Sequence, residues 1–83
     1  MSKKEKLIAR LKSKPRDFTF DEAEALLLSL GFVKSNKGKT SGSRVLFERD
    51  GLPVDMHRPH PGNELKGYQV LKMLKLLEKE GLV

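Results

Sequence analysis

Apolar residues recur at helical spacing in three segments of this chain. Residues 3–14 predict a short amphipathic helix that a proline ends. A second helix begins at Thr19, whose spacing to Glu22 is that of a capping box, and a glycine follows its last turn. A third helix is predicted over residues 67–80. The three apolar stripes are Leu7, Ile8 and Leu11; Ala23, Leu26, Leu27 and Leu30; and Val70, Leu71, Leu74 and Leu77.

Between the second and third helices the period changes to that of strands. Residues 32–34 open a first strand, residues 43–49 alternate as a second, and residues 53–57 continue as a third. Asp50-Gly51 is a strong signal for a two-residue hairpin turn between the last two strands. In the second strand the alternation places Val45 and Phe47 on one face and Arg44, Leu46 and Glu48 on the other. In the third strand Val54 and Met56 share one face and Asp55 and His57 share the other, so a compact cluster results if Arg44 and His57 point to the same side.

Helix, helix, three strands that look antiparallel, and helix make an α+β domain with helices packed on one face of a short sheet. The 83 residues fit one compact domain and not two. A core of this size is small, so its stability is expected to be marginal.

Charge is distributed in blocks along the chain. Lys and Arg number 17 against 11 Asp and Glu, for a net charge of +6 and a pI near 9.8. Residues 1–16 carry +6, residues 17–33 carry −4, and residues 34–47 carry +4. A pI above about 9 in a small domain favours a polyanionic partner, with nucleic acid the first candidate and simple solubility the alternative.

Several classes of protein are excluded by what the sequence lacks. Cysteine is absent, which removes disulfide scaffolds and thiolate metal sites and fits a reducing, cytoplasmic setting. No apolar run approaches the roughly 20 residues of a membrane span, and no apolar signal-peptide region follows the basic start. Gly38-Lys39-Thr40 is similar to the end of a nucleotide-binding phosphate loop, but the earlier glycine of that motif is missing and no helix is predicted to follow. A nucleotide-binding role is therefore excluded.

Four short pieces, in this order and spacing, carry a family resemblance. They are residues 30–32 (Leu-Gly-Phe), 40–43 (Thr-Ser-Gly-Ser), 60–66 (His-Pro-Gly-Asn-Glu-Leu-Lys) and 80–82 (Glu-Gly-Leu). Together they resemble the HicA family of toxin ribonucleases from bacterial toxin–antitoxin systems. The resemblance covers residues 17–83, which we take as the family domain, and leaves residues 1–16 as a basic N-terminal helical extension.

The resemblance implies a fold like the double-stranded RNA-binding domain, α-β-β-β-α. It implies an endonuclease that cleaves messenger RNA without a metal or other cofactor, and a HicB-like antitoxin protein that blocks the active face. The family usually has a catalytic His directly after Gly-Ser at the start of the second strand, whereas Arg44 follows Ser43 here. The family also has a His in its later Gly-x-Glu-Leu-Lys region, and His60 is the counterpart of that residue here.

RNA cleavage through the 2′-hydroxyl needs a base, an acid and a cation that steadies the phosphorane. The candidates are His57 and His60 as base or acid and Arg44 as the phosphate ligand, because imidazole titrates near neutrality and guanidinium does not. Alternatively, His57 pairs with Asp55 or merely ends its strand, and His60 is a loop residue fixed between prolines. A metal site at His57-x-x-His60 is disfavoured, since Pro59 interrupts it and it is not on one helix face.

RNA contacts are predicted at basic positions near the second strand. Lys34, Lys37, Lys39, Arg44 and Arg49 form a candidate phosphate-binding ridge, with Ser43, Arg58 and Lys66 as further contacts. Lys66 can equally be a solvated lysine, and Tyr68 is open to stacking on a base. The alternative to an enzyme is a non-catalytic RNA-binding or protein-interaction module of the same fold.

Overall fold

The computed structural model describes residues 2–35, 44–59 and 62–83. Across these ranges the chain forms three helices and one three-stranded antiparallel sheet. In chain order the elements are α1 (Lys3–Lys12), α2 (Phe20–Ser29), β1 (Val33–Ser35), β2 (Arg44–Arg49), β3 (Leu52–His57) and α3 (Gly67–Lys79). This confirms the predicted α+β class, with an α-β-β-β-α order preceded by an extra N-terminal helix.

Side-chain caps set where the first two helices begin. The Thr19 hydroxyl accepts from the Glu22 N–H at 3.1 Å, and the Glu22 carboxylate accepts from the Thr19 N–H at 3.0 Å, which confirms the predicted capping box. Ser2 and Glu5 form the same reciprocal pair at the start of α1, which was not predicted. Each such cap contributes about 1 kcal/mol to helix stability. Helix α1 ends at Lys12, two residues before the predicted end.

A two-residue turn fixes the register of the sheet. Asp50 and Gly51 have φ of 48° and 82°, the positive values that a type I′ turn requires at both central positions. Arg49 is therefore paired with Leu52, and the same register pairs the residues at the far ends of β2 and β3. The strand order is β1-β2-β3, so β3 is an edge strand. Pro53 lies inside β3, opposite Glu48, rather than at the first position.

The helices cover one face of the sheet. The alternation paired Val45 with Phe47 and Val54 with Met56, and the structure turns both pairs inward, where all four residues belong to or pack against the hydrophobic core. Helix α1 adds Leu7 and Leu11 to this same core and contacts both α2 and α3. The N-terminal helix therefore shares its buried surface with the rest of the domain.

A guanidinium also ties α1 to the start of α2. Arg10 donates from Nε to the Glu22 carboxylate and from Nη2 to Asp17 Oδ1 at 2.9 Å. The hydrogen bond from Arg10 lowers the pKa of Glu22 below its ordinary value near 4.5, against a smaller opposing effect of burial. The first helix is thus held by polar as well as apolar contacts.

The segment that precedes α3 pairs with the start of α2. The Phe20 N–H donates to the Asn63 carbonyl at 2.7 Å, and the Leu65 N–H donates to the Phe18 carbonyl at 2.7 Å. Asn63 also donates from its side-chain amide to Asp21 at 3.0 Å. The chain that leaves β3 is thereby held against α2 before it enters α3.

Helix α3 buries a face rotated from the predicted stripe. Its buried residues are Gln69, Val70, Met73, Leu74 and Leu77. The predicted Leu71 is only half-buried. The physical reason is that the Gln69 and Met73 side of the helix lies toward β3, where both residues line a groove.

Candidate functional site

Arg44 and His57 lie side by side on the exposed face of the sheet. They are directly opposed in the β2–β3 register, and both are solvent-exposed. Their strand neighbours Val45 and Met56 point into the core, so the alternation turns Arg44 and His57 outward. Directly opposed residues of an antiparallel pair have Cβ atoms about 4.5–5.5 Å apart. Two long side chains at this spacing can contact the same phosphate group.

Asp55 orients the Arg44 side chain. Its Oδ2 lies 3.2 Å from Arg44 Nε, and the side chains of Arg44 and Asp55 are 49% and 39% exposed. An ion pair this open to water adds little to stability, typically about 0–1 kcal/mol. The sequence left open a pairing of Asp55 with His57, and the structure instead pairs Asp55 with the guanidinium. In this contact Arg44 Nε faces Asp55, which lies two residues before His57 on the neighbouring strand.

A groove separates β3 from α3 next to this pair. It encloses about 380 Å³, and its walls include Pro53, Asp55 and His57 from β3 and Tyr68 and Lys72 from α3. Arg44 lines the same groove, so the groove opens onto the Arg44–His57 pair.

Gln69 of α3 also lines this groove. Its Oε1 accepts a hydrogen bond from the His57 backbone N–H at 3.3 Å. Among the described residues, Gln69 is the one buried polar side chain, with 9% of its surface exposed. Sequence analysis did not single out Gln69. The available signal was its position directly before the apolar Val70 and four residues before Met73, on the buried side of α3.

The predicted phosphate-binding ridge is divided between the two faces of the sheet. Lys34 is opposed to Phe47, so it lies on the helix-facing side, and its Nζ is 2.8 Å from Glu24. Arg49 follows Phe47 by two positions and shares that side, where its Nε lies close to Gly31. The structure does not bring Lys34 and Arg49 to the face that carries Arg44.

Two other predicted contacts lie toward the helices. Arg58 places its guanidinium carbon 4.8 Å from the centre of the Phe20 ring, a cation–π distance. Lys66 is the N-cap residue of α3, and its exposed side chain makes no capping hydrogen bond. Four predicted site residues lie outside the described residues: Lys37, Lys39, Ser43 and His60.

Two kinds of feature are absent from the ranges that the structure describes. No group of three or more His, Cys, Asp or Glu side chains is arranged to hold a metal ion there. No helix in those ranges is long and apolar enough to cross a membrane.

Comparison with known proteins identifies the family of this chain. No curated protein and no solved structure matches the chain. A family model described as HicA toxin of bacterial toxin–antitoxin systems matches residues 20–79, which is 60 of the 83 residues and runs from the start of α2 to the end of α3. This confirms the resemblance read from the short motifs. The chain therefore belongs to the HicA toxin family of bacterial toxin–antitoxin systems.

Proposed function

We propose that this toxin is a metal-independent endoribonuclease that cleaves messenger RNA, with Arg44, His57 and His60 acting on one phosphodiester. The observation that supports this most strongly is the direct opposition of Arg44 and His57 on the exposed face of the sheet. Family membership and the net charge of +6 support a polyanionic substrate.

The reaction that these groups suit is attack by the RNA's own 2′-hydroxyl. A base takes the 2′-hydroxyl proton, the 2′-oxygen forms a bond to phosphorus, and the P–O5′ bond breaks. An acid gives a proton to the leaving 5′-oxygen, so the products are a 2′,3′-cyclic phosphate and a 5′-hydroxyl. No metal, cofactor or external nucleophile enters this balance, because imidazole groups serve as base and acid.

Each side chain has a distinct role in this scheme. The Arg44 guanidinium stabilises the charge that develops on the non-bridging phosphate oxygens, a task that its fixed planar donors match. Asp55 is a positioning residue, because its carboxylate contacts Arg44 Nε and an anion is not a ligand for phosphate. His57 supplies one imidazole, and His60, three residues further along the chain, supplies the second.

RNA binding outside the reacting phosphate is assigned to the remaining basic residues. The proposed contacts are Lys34, Lys37, Lys39, Ser43, Arg49, Arg58 and Lys66. Lys66 at the start of α3 has the strongest structural support, because its side chain is exposed and makes no ion pair or ring contact with a described residue. Lys34 is supported less, since it already pairs with Glu24. We place the reaction in the cytoplasm, held off by a HicB-like antitoxin.

The test is cleavage of a long RNA by the purified full chain in the presence of EDTA, followed by mass analysis of the fragment ends. The proposal expects chelator-resistant cleavage and 2′,3′-cyclic phosphate ends. Arg44→Ala is expected to lose at least about a hundredfold in rate, and Asp55→Asn much less. Cleavage that requires a divalent cation, or ends that carry a 5′-phosphate, contradicts the proposal.

A second candidate is an RNA-binding or protein-interaction module without catalysis. The observation that favours it is Arg44 itself, which occupies the second-strand position where the family resemblance implies His and is bonded to Asp55. Arg44→His separates the two functions. If the parent chain binds RNA without cleaving it and Arg44→His gains cleavage, the module is correct.

A further inference from the structure

The free edge of β3 presents a predictable row of backbone groups. In a hairpin with a two-residue turn, the residues that flank the turn are hydrogen-bonded to each other, and the pairing alternates from there. Arg49 and Leu52 flank the turn here. Hence Pro53, Asp55 and His57 direct their backbone N–H and C=O positions away from β2 and toward the groove.

Two observations support this orientation independently. The His57 N–H is bonded to Gln69 on α3, so it does not point at β2. Pro53, which has no N–H, occupies an outward position inside a strand, where no ladder hydrogen bond is lost. Between these two blocked donors lies the Asp55 N–H, for which the described part of the chain offers no bonding partner.

The wall opposite this edge is apolar at its base and basic at its rim. Met73 and Leu76 of α3 face the β3 edge across the groove, and Tyr68 stands over it with 65% of its surface exposed. Lys72 lies on the same rim, and it also lines a second, more open groove that Lys75 and Lys79 border. An edge strand beside a helix is the arrangement into which extended peptides bind by strand addition.

We propose that an extended segment of a protein partner, with alternating apolar and acidic side chains, docks in this groove as a fourth strand on β3. The partner is the antitoxin that membership of a toxin–antitoxin family implies. Its apolar side chains pack on Tyr68 and Leu76, and its acidic side chains face Lys72 and Arg44. Since the groove opens onto Arg44 and His57, the docked segment covers the site of the proposed function, although the docking itself does not depend on that function.

The backbone chemistry of the edge favours a peptide over RNA as the occupant. Strand addition needs a donor and acceptors in alternation, which the Asp55 N–H and the carbonyls of Pro53 and Asp55 supply. The phosphates of RNA offer only acceptor oxygens, which those carbonyls repel, so RNA would have to pair with this edge through its 2′-hydroxyl or base N–H donors alone. Asp55 supplies the one available backbone donor of this edge among the described residues, because Pro53 has no N–H and the His57 N–H is bonded to Gln69. Binding of a segment therefore depends on side-chain contacts as well. The loss of these two donors also protects the free edge from unwanted self-pairing.

The test uses the full chain and its cognate antitoxin, with affinity measured by calorimetry for two variants at one position. Asp55→Asn removes the carboxylate and keeps the outward backbone N–H. Asp55→Pro removes both the carboxylate and the N–H, and it leaves the hydrogen bonds between β2 and β3 intact because the Asp55 N–H does not point at β2. We expect Asp55→Pro to bind about tenfold or more weakly than Asp55→Asn, the effect of one lost hydrogen bond in a desolvated interface. Equal affinity of the two variants contradicts the proposal.

A second measurement covers the case in which Asp55→Pro fails to fold. Amide hydrogen exchange of the parent chain is followed residue by residue, alone, with the antitoxin, and with a single-stranded RNA whose riboses are all 2′-O-methylated and therefore resist the proposed cleavage. The proposal expects slowed exchange at Asp55 with the antitoxin alone. Protection by the RNA and not by the antitoxin, or by neither, overturns it. Neither measurement uses cleavage, so its outcome is independent of whether the toxin is an active nuclease.

A charge reversal on the rim gives a matched control. Lys72→Glu is expected to weaken antitoxin binding, and Lys4→Glu, an equal change on the exposed side of α1, is expected to leave it unchanged. Equal weakening by both variants assigns the effect to overall charge and contradicts an acidic segment in the groove.

Discussion

Helix α1 lies outside residues 20–79, which the family model matches, yet its contacts predict that the domain needs it. Leu11 is fully buried, with none of its surface exposed, and sits in the same core as the residues of α2 and α3. Truncation of a buried Leu to Ala costs about 2–5 kcal/mol, so we take about 3 kcal/mol for Leu11→Ala. A domain of this length has a total stability of roughly 4–12 kcal/mol, at about 0.05–0.15 kcal/mol per residue.

Leu11→Ala is therefore expected to remove a quarter or more of the stability and to lower Tm by about 12–24 °C. The assay is urea unfolding followed by circular dichroism, because the chain has no Trp and its one Tyr is largely exposed. Lys4→Ala on the exposed side of α1 is the matched control and is expected to change stability by less than about 0.5 kcal/mol. If the two variants unfold at the same urea concentration, α1 is an appendage and its packing does not stabilise the domain.

Three further predictions follow from named contacts. The pKa of Glu22 is lowered because Arg10 bonds to its carboxylate. The contribution of this pair to folding stability is therefore present above about pH 4.5 and is lost as the pH falls through the folded-state pKa. The free energy of unfolding, measured from pH 6 to pH 3, is expected to show this loss in the parent chain and a smaller loss in Arg10→Met. Gly51→Ala is expected to destabilise by about 1 kcal/mol, since Gly51 has φ of 82°, whereas Gly67→Ala, in open space at the start of α3, is expected to be neutral or stabilising in the same denaturation assay. Lys66→Ala is expected to reduce the slope of log K against log salt for RNA binding by about 0.7–0.9, and an unchanged slope removes Lys66 from the phosphate contacts.

Local signals determined much of this fold from sequence. The Thr19–Glu22 box specifies the start of α2 because both of its hydrogen bonds lie within four residues. The Asp50-Gly51 turn specifies the hairpin because few dipeptides accept positive φ at both positions. From that turn, counting along the two strands places Arg44 opposite His57, so the central pair of the candidate site follows from local chemistry as well.

The contacts that sequence analysis missed are made between distant elements. The Gln69 bond to His57 and the Arg10 bond to Glu22 join residues 12 positions apart, and both depend on how the helices pack. Leu71 has the same helical period as the buried residues of α3, so only the rotation of that helix on the sheet explains why Met73 is buried more deeply. Periodicity predicts that a face is buried and leaves its exact rotation to packing.

The central claim is that a histidine imidazole takes part, together with Arg44, in RNA cleavage. It is tested most directly by single-turnover cleavage rates in EDTA for the parent chain, His57→Ala and His60→Ala, with folding of each variant checked by circular dichroism. We predict that at least one of the two variants loses about 100-fold to 10,000-fold in rate, the usual contribution of a general acid or base. Parent-like rates in both variants contradict the claim.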